Sequence, residues 1–369
     1  MRILESRTLT ILTTDTCTAK CAHCSMNSSP TRRGKLTAEE ICDYVDQAAS
    51  STAISMVIFA GGEPLLLGKD LFRVLRHVRN SGMRSRLITN AYWANTQETA
   101  GEVTSALCDS GLDELNISID DFHLPYIDAE NVKRAFDAAL LLDFESVIIV
   151  HCSGPTTKFN DKELDDLLGV KLPRMYDEGQ NRIDYGVRER PFVAVSNSAI
   201  QFIGRGAVEL RSDDLFFRED LDVIARENGC PWAVRSPAIS PSGHLLSCCG
   251  FEVAGNEVLD IGDLHRESLE ELLNRADDDL ALNAIALNGP FRLMDSLKLR
   301  QPDLPFRARY SSVCELCQHM VSDSTLRQAF LSSLPALAHE ISAKRASIAL
   351  RIEEDLEFEA LYHASDPVN

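Results

Sequence analysis

Cys17, Cys21 and Cys24 stand in the spacing C-x3-C-x2-C, directly after the strand-like run Thr8 to Thr14. Thiols so closely spaced can serve as iron–sulfur ligands, and a cubane of four irons normally takes four thiolates. A loop that supplies three leaves one iron with an open coordination position, where a small molecule binds. Structural zinc wants four ligands. The only candidate fourth nearby is His23, which is too close to Cys24 in sequence to share an ion comfortably. The remaining alternative is three unrelated buried thiols, since free cysteine often packs as a small hydrophobe.

A second set lies far downstream. Cys230 is followed by twelve residues, Gly243, four residues and Cys248, and then by Cys314 and Cys317 as C-x2-C. The stretch Ile239 to Cys248 reads as a hairpin with Pro241-Ser242-Gly243 in its turn and Cys248 on the returning strand. Four thiolates close a cubane completely, so such a cluster is suited to electron transfer rather than to holding a substrate. Tetrahedral zinc is the alternative for this set. Cys249 competes with Cys248 for the ligand position, although strand neighbours point to opposite faces. Cys42 reads as a helix residue without a role and Cys108 as a core thiol. Cys152, ending a strand, reads as a core thiol within reach of a pocket.

Further motifs fall at the ends of apolar runs: Gly61-Gly62-Glu63-Pro64, Thr89-Asn90-Ala91, Ser118-Ile119-Asp120-Asp121 and Gly204-Arg205-Gly206. With the first cysteine loop they resemble the signature of radical S-adenosylmethionine (radical SAM) enzymes. The second cysteine set resembles the auxiliary-cluster half-domain called twitch, a shortened SPASM domain. The resemblance implies that Cys17, Cys21 and Cys24 hold a [4Fe-4S] cluster whose open iron chelates the methionine moiety of SAM. One electron from it would cleave SAM to methionine and a 5′-deoxyadenosyl radical able to take hydrogen from an unactivated C–H bond.

The same resemblance implies roles for single residues. Gly61, Gly62, Glu63 and Pro64 would bind the SAM amine, with Glu63 facing the ammonium. Asn90 would line the pocket and Ser118 would bond the ribose. His23 takes the place of an aromatic residue that packs near the adenine. Asp120, Asp121 and His123 would line the mouth or cap the next helix, while Arg205 would neutralise a carboxylate or lie on a linker surface. Tyr92, Trp93 and Tyr126 suit a boundary between loop and core. Cys230, Cys248, Cys314 and Cys317 would hold one auxiliary [4Fe-4S] cluster.

The elements that must position these residues alternate regularly, as in a parallel α/β domain. Thr37-Ala-Glu-Glu40 is a capping box opening a helix with Ile41, Tyr44, Val45, Ala48 and Ala49 on one face. Strands follow at Met56–Ala60, Arg84–Asn90, Glu114–Asp120, Ser146–Cys152 and Phe192 to about Ile203. Helices intervene near Lys69–Arg79, Glu98–Cys108, Asn131–Leu142 and Lys162–Leu168. Six β/α repeats predict a partial (β/α)6 TIM-like barrel with its chemistry at the carboxyl ends of the strands. The charged segment Tyr176 to Arg190 reads as an exposed excursion. After Cys317 the pattern is helical, with Leu337, Ile341, Ile348 and Ile352 on one stripe.

A chain of 369 residues exceeds one compact core. The expected domains are a barrel over 1–212, an auxiliary-cluster domain over 213–325 and a helical tail over 326–369. No apolar run reaches a membrane span's length, and the first residues lack a secretory core, so the expected compartment is the cytoplasm. A net charge of -19, from 56 acidic against 37 basic residues, argues against nucleic-acid partners. The eleven cysteines fall in ligand spacings rather than a secreted disulfide framework.

The expected activity is that of a radical SAM oxidoreductase acting on a ribosomally made peptide, by crosslinking or side-chain oxidation, with the auxiliary cluster taking the surplus electron. A flavodoxin or ferredoxin is the implied reductant. The alternatives are a dehydrogenase or epimerase of a sugar or aminocyclitol, with Cys152 or Cys249 as hydrogen donor for an epimerase, and a non-catalytic iron–sulfur or zinc scaffold. Nothing precedes the first strand that reads as a winged-helix peptide-recognition module.

Overall fold

The computed structural model describes residues 2–175, 190–217 and 229–364. The charged excursion expected at 176–190 lies, apart from Arg190, outside the described residues. Strands β1 (Thr8–Leu12), β2 (Met56–Ala60), β3 (Arg84–Thr89), β4 (Glu114–Ser118), β5 (Ser146–Ser153) and β6 (Phe192–Ala199) pair in parallel, each with its sequence neighbour. Between them lie helices α1 (Ala38–Ser51), α2 (Lys69–Asn80), α3 (Gln97–Asp109), α4 (Ala129–Ala139) and α5 (Asp161–Leu168). All five residues of β4 are buried, as expected of a parallel strand covered on both faces. This is the partial (β/α)6 barrel.

The sheet continues past β1. Strand β7 (Ala238–Ile239) runs parallel to β1, and β8 (His244–Leu246) and β9 (Asp260–Asp263) follow antiparallel. The nine-stranded order is β6-β5-β4-β3-β2-β1-β7-β8-β9. The hairpin that leads to the second cysteine set is thus hydrogen-bonded to the strand that launches the first. One apolar core runs from Leu4 through the barrel to Ile341.

Local signals explain most boundaries. Thr37 Oγ1 accepts the Glu40 amide and the Glu40 carboxylate accepts the Thr37 amide, so α1 opens on the expected capping box. Ile41, Tyr44, Val45 and Ala48 are buried, whereas Ala49 is exposed because the helix turns it away from the sheet. The sixth strand stops at Ala199, short of the expected Ile203, and Cys248 lies two residues past the end of β8 rather than on it.

After a short turn of helix, α6 (Gly206–Glu209), the chain is helical beyond β9: α7 (Leu269–Asp278), α8 (Leu280–Asn288), α9 (Pro290–Arg300), α10 (Val313–Ser322) and α11 (Ser324–Ala364). The last helix docks on the protein. Leu337 and Ile341 are buried, and Arg345 donates to the Asp277 carboxylate at 3.0 Å. No helix among the described residues is long and apolar enough to cross a membrane.

Candidate active site

The loop between β1 and α1 carries the first cysteines to the carboxyl ends of the strands. There Cys17, Cys21 and Cys24 line a cavity of about 360 Å3 together with Gly61, Gly62 and Asn90. His23, Ser118 and His123 complete much of the wall, as does Cys152. Of the residues singled out by sequence, these share one cavity, whereas Glu63, Pro64, Asp120 and Arg205 lie behind its surface.

The two glycines serve the loop as well as the cavity. Gly61 has φ +122, and a Cβ there would stand 2.8 Å from the Thr14 carbonyl oxygen. A Cβ on Gly62 would run into the Thr16 carbonyl. Only glycine lets the end of β2 close on the base of the cysteine loop, where Gly62 N–H donates to Thr14 O at 2.6 Å and Glu63 N–H to Thr16 O at 3.0 Å.

Glu63, which the resemblance aims at the SAM ammonium, lies with its carboxylate behind the cavity surface. Its carboxylate is fully buried and accepts Thr89 Oγ1 at 2.9 Å, the Asn90 amide at 2.9 Å and the Leu65 amide at 3.2 Å. It therefore ties the end of β2 to the end of β3, while burial pushes its carboxyl up to about 7. Pro64 opens the 3-10 turn Pro64–Leu67 that follows. Asn90 carries the tie forward, its Nδ2 donating to Thr18 Oγ1 at 3.1 Å and meeting Cys17 Sγ at 3.6 Å.

Asp120 is likewise engaged with protein groups. Its Oδ2 stands 3.1 Å from His23 Nε2, and its Oδ1 2.8 Å from His123 Nδ1. The same Oδ1 accepts the amides of Phe122 and His123, capping the turn. Burial would raise its pKa, but the two imidazoles hold it well below the usual carboxylate range. His23 stacks on Phe122 with ring centroids 4.7 Å apart, and His123 meets the Cys21 thiol. Phe122 is the partner that sequence reasoning missed; its place two residues past Asp120 was the available signal. Asp121 accepts the amides of Lys158 and Phe159 and so fixes the loop after β5. Trp93 is buried, donating to Thr89 Oγ1 at 3.1 Å, while Tyr126 is exposed.

Among the described residues Arg205 pairs with no carboxylate. Its guanidinium is buried and donates to the carbonyls of Cys21 at 2.8 Å and Ser28 at 2.5 Å, while its own amide donates to Cys24 O at 3.0 Å. A planar fork with several donors suits two loop carbonyls as well as it suits a carboxylate.

The second set converges as well. Cys230, Cys248, Cys314 and Cys317 line a separate cavity of about 220 Å3, with Cys249 also on its wall. Cys249 meets Thr10 of β1, so it turns toward the barrel, whereas the sulfurs of Cys248 and Cys314 both face Gly250. Gln201, Ile203 and Gly250 line both cavities and form the wall between them.

Both thiol sets fit iron–sulfur clusters. All eleven cysteines are free. A tetrahedral zinc ion with Zn–S near 2.3 Å needs sulfurs about 3.8 Å apart. Among the described residues the one trio of ligand atoms drawn within 4.8 Å of one another is His23, Asp120 and His123, so neither cysteine set is closed around a single ion. Backbone N–H groups already face the sulfurs, from Ala19 to Cys17, from Trp232 and Ala233 to Cys230, and from Gly250 to Cys248. A Cβ on Gly250 would stand 3.5 Å from Cys314 Sγ and 3.8 Å from Cys248 Sγ, in the space a cluster would fill.

Comparison with known proteins agrees with this geometry. The family model of the radical SAM superfamily matches residues 11–168. The protein YydG of Bacillus subtilis (strain 168), named for peptide biosynthesis, is 21% identical over 325 residues, which cover 85% of this chain and 92% of that protein. Among solved structures, anSMEcpe with bound AdoMet superposes with a TM-score of 0.52 at 14% identity, covering 91% of this chain and 99% of that one. The same protein with AdoMet and the Kp18Cys peptide gives 0.50 at 13% identity, with the same coverage. These superpositions establish the α/β partial-barrel fold.

Proposed function

We propose that the chain is a radical SAM enzyme, an oxidoreductase that abstracts hydrogen from a ribosomally made peptide. Cys17, Cys21 and Cys24 would hold a [4Fe-4S] cluster, which when bound would supply the electron that cleaves SAM to give the abstracting radical. The residues around it hold its loop still: Asn90 beside Cys17, His123 beside Cys21, and Arg205 on the carbonyls of Cys21 and Ser28. Ser118 and Asn90 offer polar side chains to SAM and substrate from the wall.

One observation carries the reading: the cavity of the first cysteines and the cavity of the second share the wall made by Gln201, Ile203 and Gly250. A substrate radical formed on one side has an electron acceptor immediately across it, provided that Cys230, Cys248, Cys314 and Cys317 hold an auxiliary [4Fe-4S] cluster. The name of YydG supports a peptide as substrate. A flavodoxin or ferredoxin is the fitting reductant. Anaerobic incubation of the reconstituted enzyme with SAM, reductant and each short peptide found encoded beside its gene should give, with one of them, 5′-deoxyadenosine and a product lighter by two hydrogens. No product from any such peptide defeats the reading.

A second reading rests on Cys152. Its thiol stands in the cavity wall 3.0 Å from Ser198 Oγ, and burial pushes it up to about 12, so it stays protonated. A neutral S–H can return a hydrogen atom to a carbon radical, which would make the reaction an epimerisation of a peptide residue, a sugar or an aminocyclitol. The product then keeps its mass in water and gains one deuterium in D2O.

A further inference from the structure

The wall of the auxiliary cavity is largely apolar, with Ile203, Trp232, Phe251, Leu259, Ile285 and Val313 around the four thiols. Adding an electron to a cluster there adds negative charge in a medium that solvates it poorly. Two polar side chains other than the cysteines line this cavity, Gln201 and Ser247. Ser247 is fully buried, and its Oγ has no nitrogen or oxygen partner. Its backbone is fixed on both sides, with its N–H donating to Leu259 O at 2.8 Å and its carbonyl accepting the Val234 amide at 2.8 Å.

A buried hydroxyl without a partner is costly and calls for an explanation. The hydroxyl lies beside the Cys248 thiol, and both line the cavity on which the four cysteines converge. We infer that the Ser247 hydroxyl donates a hydrogen bond to a sulfur of the auxiliary cluster, either the Cys248 thiolate or a bridging sulfide, and thereby makes that cluster easier to reduce. Hydrogen bonds to cluster sulfurs are one of the means by which a protein sets a cluster's potential. Ser247 is thus a tuning residue that biases the second site toward accepting an electron. The inference rests on the proposed assignment of an iron–sulfur cluster to Cys230, Cys248, Cys314 and Cys317.

The test uses the full chain with Cys17, Cys21 and Cys24 replaced by alanine, so that the second cluster alone gives an EPR signal, titrated potentiometrically with dithionite. S247A should lower the midpoint, with about a tenfold smaller reduced-to-oxidised ratio at fixed potential, equivalent to about 59 mV for one electron. S247T should keep the parent midpoint. After exchange into D2O, the deuteron couplings to the cluster in the parent and in S247T should include one that S247A lacks, beside those of the backbone amides that face the sulfurs in all three. An iron-loaded S247A protein with unshifted midpoint and unchanged coupling overturns the role of Ser247 while leaving the cluster in place. A parent that holds zinc or no metal at these four thiols overturns the cluster assignment and Ser247 with it.

Discussion

Arg32 grips Glu252 with two nitrogens, Nη2 at 2.6 Å from Oε1 and Nη1 at 3.0 Å from Oε2. The arginine belongs to the loop of the first cysteines, and the glutamate lies four residues past Cys248. Asn27 Nδ2 adds a bond to the same carboxylate at 2.9 Å, and Asp15 takes the free side of the guanidinium at 3.0 Å. The two candidate cluster sites are therefore stitched together by charge as well as by the β1–β7 pairing.

Bidentate, charge-assisted pairs exceed ordinary surface ion pairs in strength. A double-mutant cycle between Arg32→Ala and Glu252→Ala should give a coupling of about 1–2 kcal/mol in chemical denaturation. A coupling near zero would mean that the loop and the second cysteine segment are held together without this pair.

Ala91 adopts φ +59, a conformation that disfavours any side chain. Ala91→Gly should raise stability by ~1 kcal/mol, since the relief of left-handed strain exceeds the added entropy of an unfolded glycine. Equal or lower stability in a denaturant titration would show that the alanine methyl packs well enough to compensate.

The buried Glu63 carboxyl, pushed up from 4.5 to about 7 by desolvation, should leave a pH signature. Below pH 4.5 both folded and unfolded states hold its proton, so it adds no pH dependence. Between 4.5 and 7 the unfolded chain loses that proton first, and stability falls with rising pH. At about 1.4 kcal/mol per pH unit the loss approaches ~3 kcal/mol and levels off above 7. Glu63→Gln should flatten this part of the stability profile, and a slope identical to that of the parent would contradict the prediction.

Metal content should divide between the two sets. The anaerobically reconstituted protein should carry about eight irons, and the Cys17, Cys21, Cys24 triple alanine variant about four. A Cys314→Ala, Cys317→Ala variant should also lose about half, with its remaining EPR signal perturbed by SAM. Equal iron in all three proteins would dismiss the partition.

Motifs whose meaning is local could be read from the chain. The three-cysteine spacing, the capping box at Thr37 and Glu40, and the alternation of apolar runs with helical periods each depend on residues within a few positions of one another. They yielded the barrel and the first cysteine loop. The side chains of Glu63, Asp120 and Arg205 were harder to read, because a carboxylate or guanidinium takes whichever partner the fold brings nearest. Glu63 found the amides of β3, Asp120 two imidazoles, and Arg205 the carbonyls of Cys21 and Ser28.

Tertiary structure alone decided the rest. Spacing could nominate Cys230, Cys248, Cys314 and Cys317 as a set, but their convergence depends on β7 pairing with β1 and on α10 packing beside the hairpin. The wall shared by the two cavities comes from the segment after β6 and from Gly250, which are about fifty residues apart. Contacts of that range are set by strand register and core packing, which local pattern does not encode, whereas the spacing of Cys17, Cys21 and Cys24 is fixed by covalent neighbours alone.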